Sequence, residues 1–276
     1  MPHKLSLAFL TLFDCGPVGA VRIAGETGYD MVGLRLLPAA PTEAPYPLIT
    51  DPALLRETVA ALRETGVSVG DVEIARLKPE TEISTFERFV DHAAQLGARH
   101  VLVAGDDPDH SRLTGTFAGF CRLARNYGLT ADLEFMPWTA VPNLASARAI
   151  VEAAGEPNGG VLVDALHWDR SGGTIEEVQA LPAKLINYVQ FCDGSADYDR
   201  SDEGLIRIAR SARLNPGEGG IDCVGLASAI PDGVTISVEV PNRELASTLG
   251  PKARAEAALA AARRVLEAAG RTWKAE

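Results

Sequence analysis

The chain has no two cysteines spaced as a C-x-x-C pair, the unit that zinc modules and redox motifs use. Its four cysteines, Cys15, Cys121, Cys192 and Cys223, lie far apart, which predicts reduced cytosolic thiols. No run approaches the roughly twenty consecutive apolar residues that a membrane span requires. The apolar start, MPHKLSLAFLTLFDCG, lacks both a basic leader and a small-residue cleavage site, so a first strand and a cytoplasmic location are expected. Basic charge is scarce too: 26 Lys and Arg stand against 37 Asp and Glu, a formal net charge of -11. A long polyanion would meet an unfavourable average field, so nucleic acid is not an expected partner. There is no low-complexity block. NPGEGG, residues 215–220, lacks the G-x-x-x-x-G-K-[ST] pattern of a phosphate loop and reads as a tight connection.

What is present is an alternation. Short β-rich runs, LSLAFLTLF, YDMVGLRLL, VSVGDVEIA, RHVLVAG, LTADLEF, GGVLVDAL, INYVQF and VTISVEV, are mostly apolar or β-branched, as strands buried on both faces are. Between them PVGAVRIAGETG, DPALLRETVAALRETG, STFERFVDHAAQLG, GTFAGFCRLARNYG, NLASARAIVEAAG and TIEEVQALPAKL carry apolar residues at three- and four-residue spacing and mostly stop at glycine, as helices with a left-handed cap do. The last segment, KARAEAALAAARRVLEAAG, reads as a helix packed outside the strands. Alternation of this kind predicts parallel strands joined by helical crossovers. A length of 276 residues fits two ordinary domains or one barrel. With no Pro/Gly/Ser-rich linker to divide the chain, residues 1–276 are expected to form a single domain, a (β/α)8 TIM barrel.

Four of the later runs end on a metal-competent side chain: Glu134, Asp164, Gln190 and Glu239. In an alternating barrel such tips converge on one mouth, where catalytic groups collect. Three carboxylates and an amide oxygen suit a hard divalent cation, Mn²⁺ or Mg²⁺, with Co²⁺ or Zn²⁺ as further options.

The order of these elements, a glutamate closing strand five, a D-x-x-H pair (Asp164 and His167) closing strand six, Gln190 and Asp193 as a Gln-x-x-Asp pair on strand seven, NPGEGGID after it and a glutamate closing strand eight, resembles the xylose-isomerase-like barrels that isomerise and epimerise sugars and sugar phosphates. The resemblance runs nearly end to end. It implies that Glu134, Asp164, Gln190 and Glu239 hold the metal, that Glu134 and Glu239 also serve as acid and base on opposite faces of the substrate, and that His167 is a catalytic residue contacting a substrate hydroxyl. The implied activity is isomerisation or epimerisation of a small polyhydroxylated ketone through a metal-stabilised enediolate. A homo-oligomer is compatible with the resemblance.

Two departures open an alternative. Gln190 stands where many such epimerases carry histidine, and some relatives that dehydrate 3-dehydroshikimate use glutamine there. Arg35, at the end of strand two, stands where sugar-processing relatives often present an acid, and an arginine fork suits a carboxylate or phosphate. A hydro-lyase of a cyclic keto acid is therefore the alternative activity. Arg76, Arg112, Arg170 and Arg243 follow other strand ends and are further candidates for an anion pocket. Trp138 and Trp168 follow the strands bearing Glu134 and Asp164, where an aromatic face would either cover the substrate or pad the rim. A nuclease of the related three-zinc type needs several histidines. Of the five here, His3 is terminal and His92 falls inside an expected helix, which leaves too few. A barrel that binds a ligand without turnover is disfavoured by the retained oxygen ligands.

Overall fold

A computed structural model describes residues 1–39 and 46–273. Eight parallel strands close into a barrel in sequence order: β1 (Leu5–Leu7), β2 (Met31–Arg35), β3 (Ser68–Leu77), β4 (His100–Gly105), β5 (Thr130–Glu134), β6 (Gly159–Asp164), β7 (Tyr188–Phe191) and β8 (Thr235–Val238), with β1 pairing to β8. The chain is a (β/α)8 TIM barrel.

Strand parity positions the site. Successive side chains on a strand point to opposite faces. Outward residues such as Val103, Leu133, Val163, Val189 and Val238 join the apolar layer beneath the helices. Leu102, Ala104, Leu162 and Tyr188 fill the inside. The same inward parity carries Asp71 and Glu73 on β3, Asp132 and Glu134 on β5, Leu162 and Asp164 on β6, Tyr188 and Gln190 on β7, and Ser237 on β8 followed by Glu239. The register sets neighbours side by side: Arg35 with Glu73, Ala104 with Glu134, and Asp164 with Gln190. The barrel is therefore polar inside along its upper part.

The crossover helices start and stop where local chemistry dictates. In α2 (Pro52–Thr65), Asp51 accepts from the Ala53 and Leu54 amides at 2.9 and 3.1 Å, Pro52 supplies the pre-set first turn, and Gly66 ends the helix at φ 73°. Asp109 caps α4 (His110–Arg125) in the same way. The remaining crossovers are α1 (Pro17–Thr27), α3 (Glu87–Gln95) and α5 (Leu144–Ala154).

Differences from the sequence expectations are local. The first strand ends at Leu7 instead of running through Phe13. Residues Phe9–Leu12 form a 3₁₀ turn, held by the Thr11 hydroxyl donating to Val238 O at 2.8 Å. The helix expected over TIEEVQALPAKL is cut to α7 (Ile175–Gln179), followed by a 3₁₀ turn at Ala183–Leu185, because Pro182 cannot continue a helix. A short helix, α6 (Ala165–Arg170), follows β6 directly. Two helices beyond the expected set, α8 (Asp202–Ser211) and α9 (Cys223–Ala229), lie between β7 and β8. After β8 come α10 (Arg243–Thr248) and α11 (Pro251–Ala268). All four cysteines are free.

Candidate metal centre

At the C-terminal end of the strands a cavity of about 360 Å³ opens, with Glu134, Glu239, Glu73, His167, Trp138 and Arg213 in its lining. Its position follows from the parity of β3, β5 and β8, which aims three glutamates into one mouth. Volume of this order suits a small molecule.

Glu134, Asp164 and His167 each present a ligand atom, and these atoms lie within 4.8 Å of one another; all three residues are buried. Asp164 ends β6 and at once caps α6, with Oδ1 accepting from the His167 amide at 3.0 Å. That cap fixes the turn that brings His167 over the barrel, its Nε2 3.9 Å from Glu134 Oε1. Trp138 stands edge-on to the His167 ring, centroids 5.1 Å apart.

The remaining two expected ligands are engaged differently. Gln190 Nε2 donates to Glu239 Oε1 at 2.9 Å. Glu239 Oε2 lies 2.9 Å from Arg213 Nη2, and Arg213 Nη1 donates to Asp164 Oδ2 at 2.5 Å. Glu239 thus stands outside the cluster of Glu134, Asp164 and His167. His167, expected to touch substrate, lines the cavity and also places a ring nitrogen among the candidate ligand atoms. Arg213 was absent from the sequence expectations. It is almost wholly buried, and Ala209 O fixes its Nε at 2.9 Å.

Burial and charge set the protonation of these groups. Burial first, then the charges of Asp164 and Glu239, push the Glu134 carboxyl well above the usual carboxylate range. Burial, helped by Glu73 and Asp164, outweighs Arg213 and pushes Glu239 up to about 8. For Asp164 burial raises the carboxyl, but Arg213 and His167 together hold it below its ordinary value. His167 is driven down to about 4 by burial, and Arg213 opposes the pull of Asp164, so the ring is neutral at pH 7 and has a lone pair to give.

The donor set fits a divalent cation. Four buried carboxylates, Glu73, Glu134, Asp164 and Glu239, face two buried guanidinium groups, Arg35 and Arg213. Ionised Glu134 needs a further positive charge nearby. Gln190 Oε1, His167 Nδ1 and Glu73 Oε1 are among the buried side-chain atoms that have no hydrogen-bond partner, and at this site a bound cation would give such atoms one.

Other expected residues sort clearly. Arg35 lines the cavity, but its Nε donates to Glu73 Oε2 at 3.1 Å, and its guanidinium lies 4.8 Å from the Phe9 ring centroid. Arg76 pairs with Asp106, Arg112 with Asp107 and Arg170 with Asp169. Trp168 does not reach the cavity: it is core, and its Nε1 donates to Thr174 O at 3.3 Å. One residue of helix rotates the chain by about 100°, so His167 and Trp168 cannot face the same way. The NPGEGG turn is bound by Asp193, which accepts from the Gly219 and Ile221 amides at 2.9 Å each. Those amides are therefore occupied from within the protein.

A closed (β/α)8 barrel with an acidic, histidine-bearing cluster at the C-terminal mouth defines the class. The family model described as xylose isomerase-like TIM barrel matches residues 21–268, and the chain belongs to that family. No curated protein matches it by sequence. Among solved structures it is similar to the IolI protein with a bound zinc atom (18% identity, 97% of this chain and 98% of that one, TM-score 0.76). A xylose isomerase domain protein from Alicyclobacillus acidocaldarius is similar over 97% of this chain and 99% of that one (20% identity, TM-score 0.77). D-psicose 3-epimerase, solved in the presence of D-fructose, is similar over 95% and 98% (15% identity, TM-score 0.71). No helix among the described residues is long and apolar enough to cross a membrane.

Proposed function

We propose that the protein is a divalent-metal-dependent isomerase or epimerase of a small polyhydroxylated ketone. The observation that carries this reading is the convergence of Glu134, Asp164 and His167 within 4.8 Å beside a cavity of about 360 Å³. Membership of a family with epimerases among its structural neighbours agrees with it. Glu134, Asp164 and His167 would hold the ion, with Gln190 and Glu239 beside them. Bound there, Mn²⁺, Mg²⁺ or a similar ion supplies Lewis acidity to a carbonyl and its neighbouring hydroxyl.

The chain's own residues do the rest. Glu134 and Glu239 both reach the cavity, one from β5 and one from just beyond β8, so they address a bound molecule from different sides. A carboxylate with a raised pKa accepts a carbon-bound proton more readily than an ordinary one. Glu239, whose carboxyl burial pushes up to about 8, binds a proton more readily than an ordinary carboxylate and is suited to return one. Arg213 holds Glu239 in place and offsets charge that develops on that side. Trp138 lines the cavity and stands edge-on against the His167 ring, which helps to hold that ring in place.

Proton exchange tests this across a panel of ketoses. Each, incubated with the Mn²⁺-loaded protein in D₂O, is a substrate if it loses the NMR signal of the proton beside its carbonyl, and at least one should. Glu134→Gln and Glu239→Gln should each slow that loss by about 100-fold or more. Exchange at the wild-type rate in both variants, on a genuine substrate, defeats the proposal. Dehydration of a cyclic keto acid begins with the same proton removal, and a conjugated product absorbing in the ultraviolet would identify it.

A further inference from the structure

We infer that the substrate carries an anionic group, a carboxylate or a phosphate, seated between Arg210 and Arg243 at the mouth of the cavity. The word substrate rests on the function proposed above; the anion subsite rests on the following geometry. The chain has a formal net charge of -11, yet its cavity is lined by five arginines, Arg35, Arg76, Arg210, Arg213 and Arg243, against three glutamates. Three of the arginines are matched: Arg35 by Glu73, Arg76 by Asp106, and Arg213 by Asp164 and Glu239. Among the described residues Arg210 and Arg243 have no carboxylate partner.

The fold brings these two together through its backbone. Arg210 is in the last turn of α8 and Arg243 opens α10. An antiparallel bridge, Ala212 with Asn242, joins the two segments. The Arg213 amide donates to Pro241 O at 3.1 Å, and Asn242 Nδ2 donates to Arg213 O at 2.9 Å. A basic residue at the end of α8 would by itself be a helix-dipole partner. That accounts for Arg210 alone and not for a second arginine, on another helix, lining the same cavity. Arg243 lies 5.4 Å from the Phe13 ring centroid, a contact that steadies a guanidinium without neutralising it. Two such forks offer several N–H donors to a planar carboxylate or a phosphoryl group. The glutamates and His167 sit deeper in the cavity, so a bound molecule would place its anionic end at the rim and its carbonyl end at the floor.

Calorimetric titration of the full-length protein as purified, at low salt, tests this with three probes: inorganic phosphate, gluconate, and neutral glucitol. Arg210 and Arg243 are exposed and unpaired by carboxylates, so the Arg210→Gln, Arg243→Gln double variant should fold as the wild type does, checked by its thermal midpoint. The expected result is saturable binding of at least one anion, weakened about tenfold or more in the double variant, with glucitol showing no such change. Tighter phosphate than gluconate would identify a phosphorylated substrate, and the reverse a carboxylic one. Anion binding that is absent, or equal in the two proteins, overturns the inference. Metal analysis of the same samples separates the two readings. Metal bound without an anion effect removes the subsite alone, whereas an anion effect in protein that takes up no metal removes the metal reading alone.

Discussion

Arg213 bridges Asp164 and Glu239, with Nη1 2.5 Å from Asp164 Oδ2 and Nη2 2.9 Å from Glu239 Oε2. One guanidinium thereby ties the end of β6 to the end of β8 across the intervening strand and tempers two buried carboxylates that would otherwise repel. Removing one partner of a buried ion pair leaves uncompensated charge and costs about 3–5 kcal/mol. Arg213→Met is expected to destabilise the metal-free protein by that amount in urea unfolding, and added Mn²⁺ should restore part of the loss. A loss under about 1 kcal/mol would mean that the bridge is not a structural necessity.

Gln190 is the weakest donor of the expected set. Replacing it with histidine puts a neutral imidazole where an amide now hydrogen-bonds to Glu239. Imidazole is the better ligand for Zn²⁺ and Co²⁺. Gln190→His should tighten Zn²⁺ binding by about tenfold in competition with a chelator dye, and unchanged or weaker binding would argue that Gln190 does not face the ion.

Inside the barrel, Asp132 accepts from Thr130 Oγ1 at 2.6 Å and from Asn187 Nδ2 at 2.6 Å, yet burial still pushes its carboxyl up to about 7. A folded-state pKa above the unfolded value means that the folded protein binds the proton more tightly. Stability from this group is therefore present at low pH and is lost as pH rises from about 4 to about 7. Asp132→Asn should cost more at pH 5 than at pH 8, by about 1–3 kcal/mol between the two. Unfolding curves whose difference does not change with pH would contradict the raised pKa.

Gly160 makes this arrangement possible. A Cβ there would come within 2.3 Å of Asp132 Oδ1 and 2.4 Å of Asn187 Nδ2, so Gly160→Ala must push the pair apart. Overpacking of this kind costs about 1–3 kcal/mol. A thermal midpoint equal to the wild type would show that the interior has room the distances deny.

Much of this was legible in the sequence because the strands are short, apolar and punctuated. An acid that ends such a run must fall at the barrel mouth, which is how Glu134 and Asp164 could be placed from residue order alone. Gln190 and Glu239 could be placed too, but not their engagement, since that depends on Arg213. Its partners lie on other strands, Asp164 49 residues away, and sequence spacing carries no trace of the contact. Its position just before NPGEGGID was the available signal. Trp168 shows the converse: its place after the strand bearing Asp164 left substrate cover and rim padding both open, and the turn of α6 puts it in the core. Arg35 could be placed at a strand end, but not its pairing with Glu73, because that pairing depends on the register of β2 against β3.

The central claim is that Glu134, Asp164 and His167 form a divalent-metal site, and elemental analysis of bound Mn, Mg, Co and Zn tests it most directly. Wild-type protein equilibrated with each ion and then desalted should retain about one equivalent of at least one of them, as a single site of this donor chemistry requires. Asp164→Asn and Glu134→Gln should retain little. Wild-type protein that holds none, or variants that hold as much as the wild type, would contradict the account.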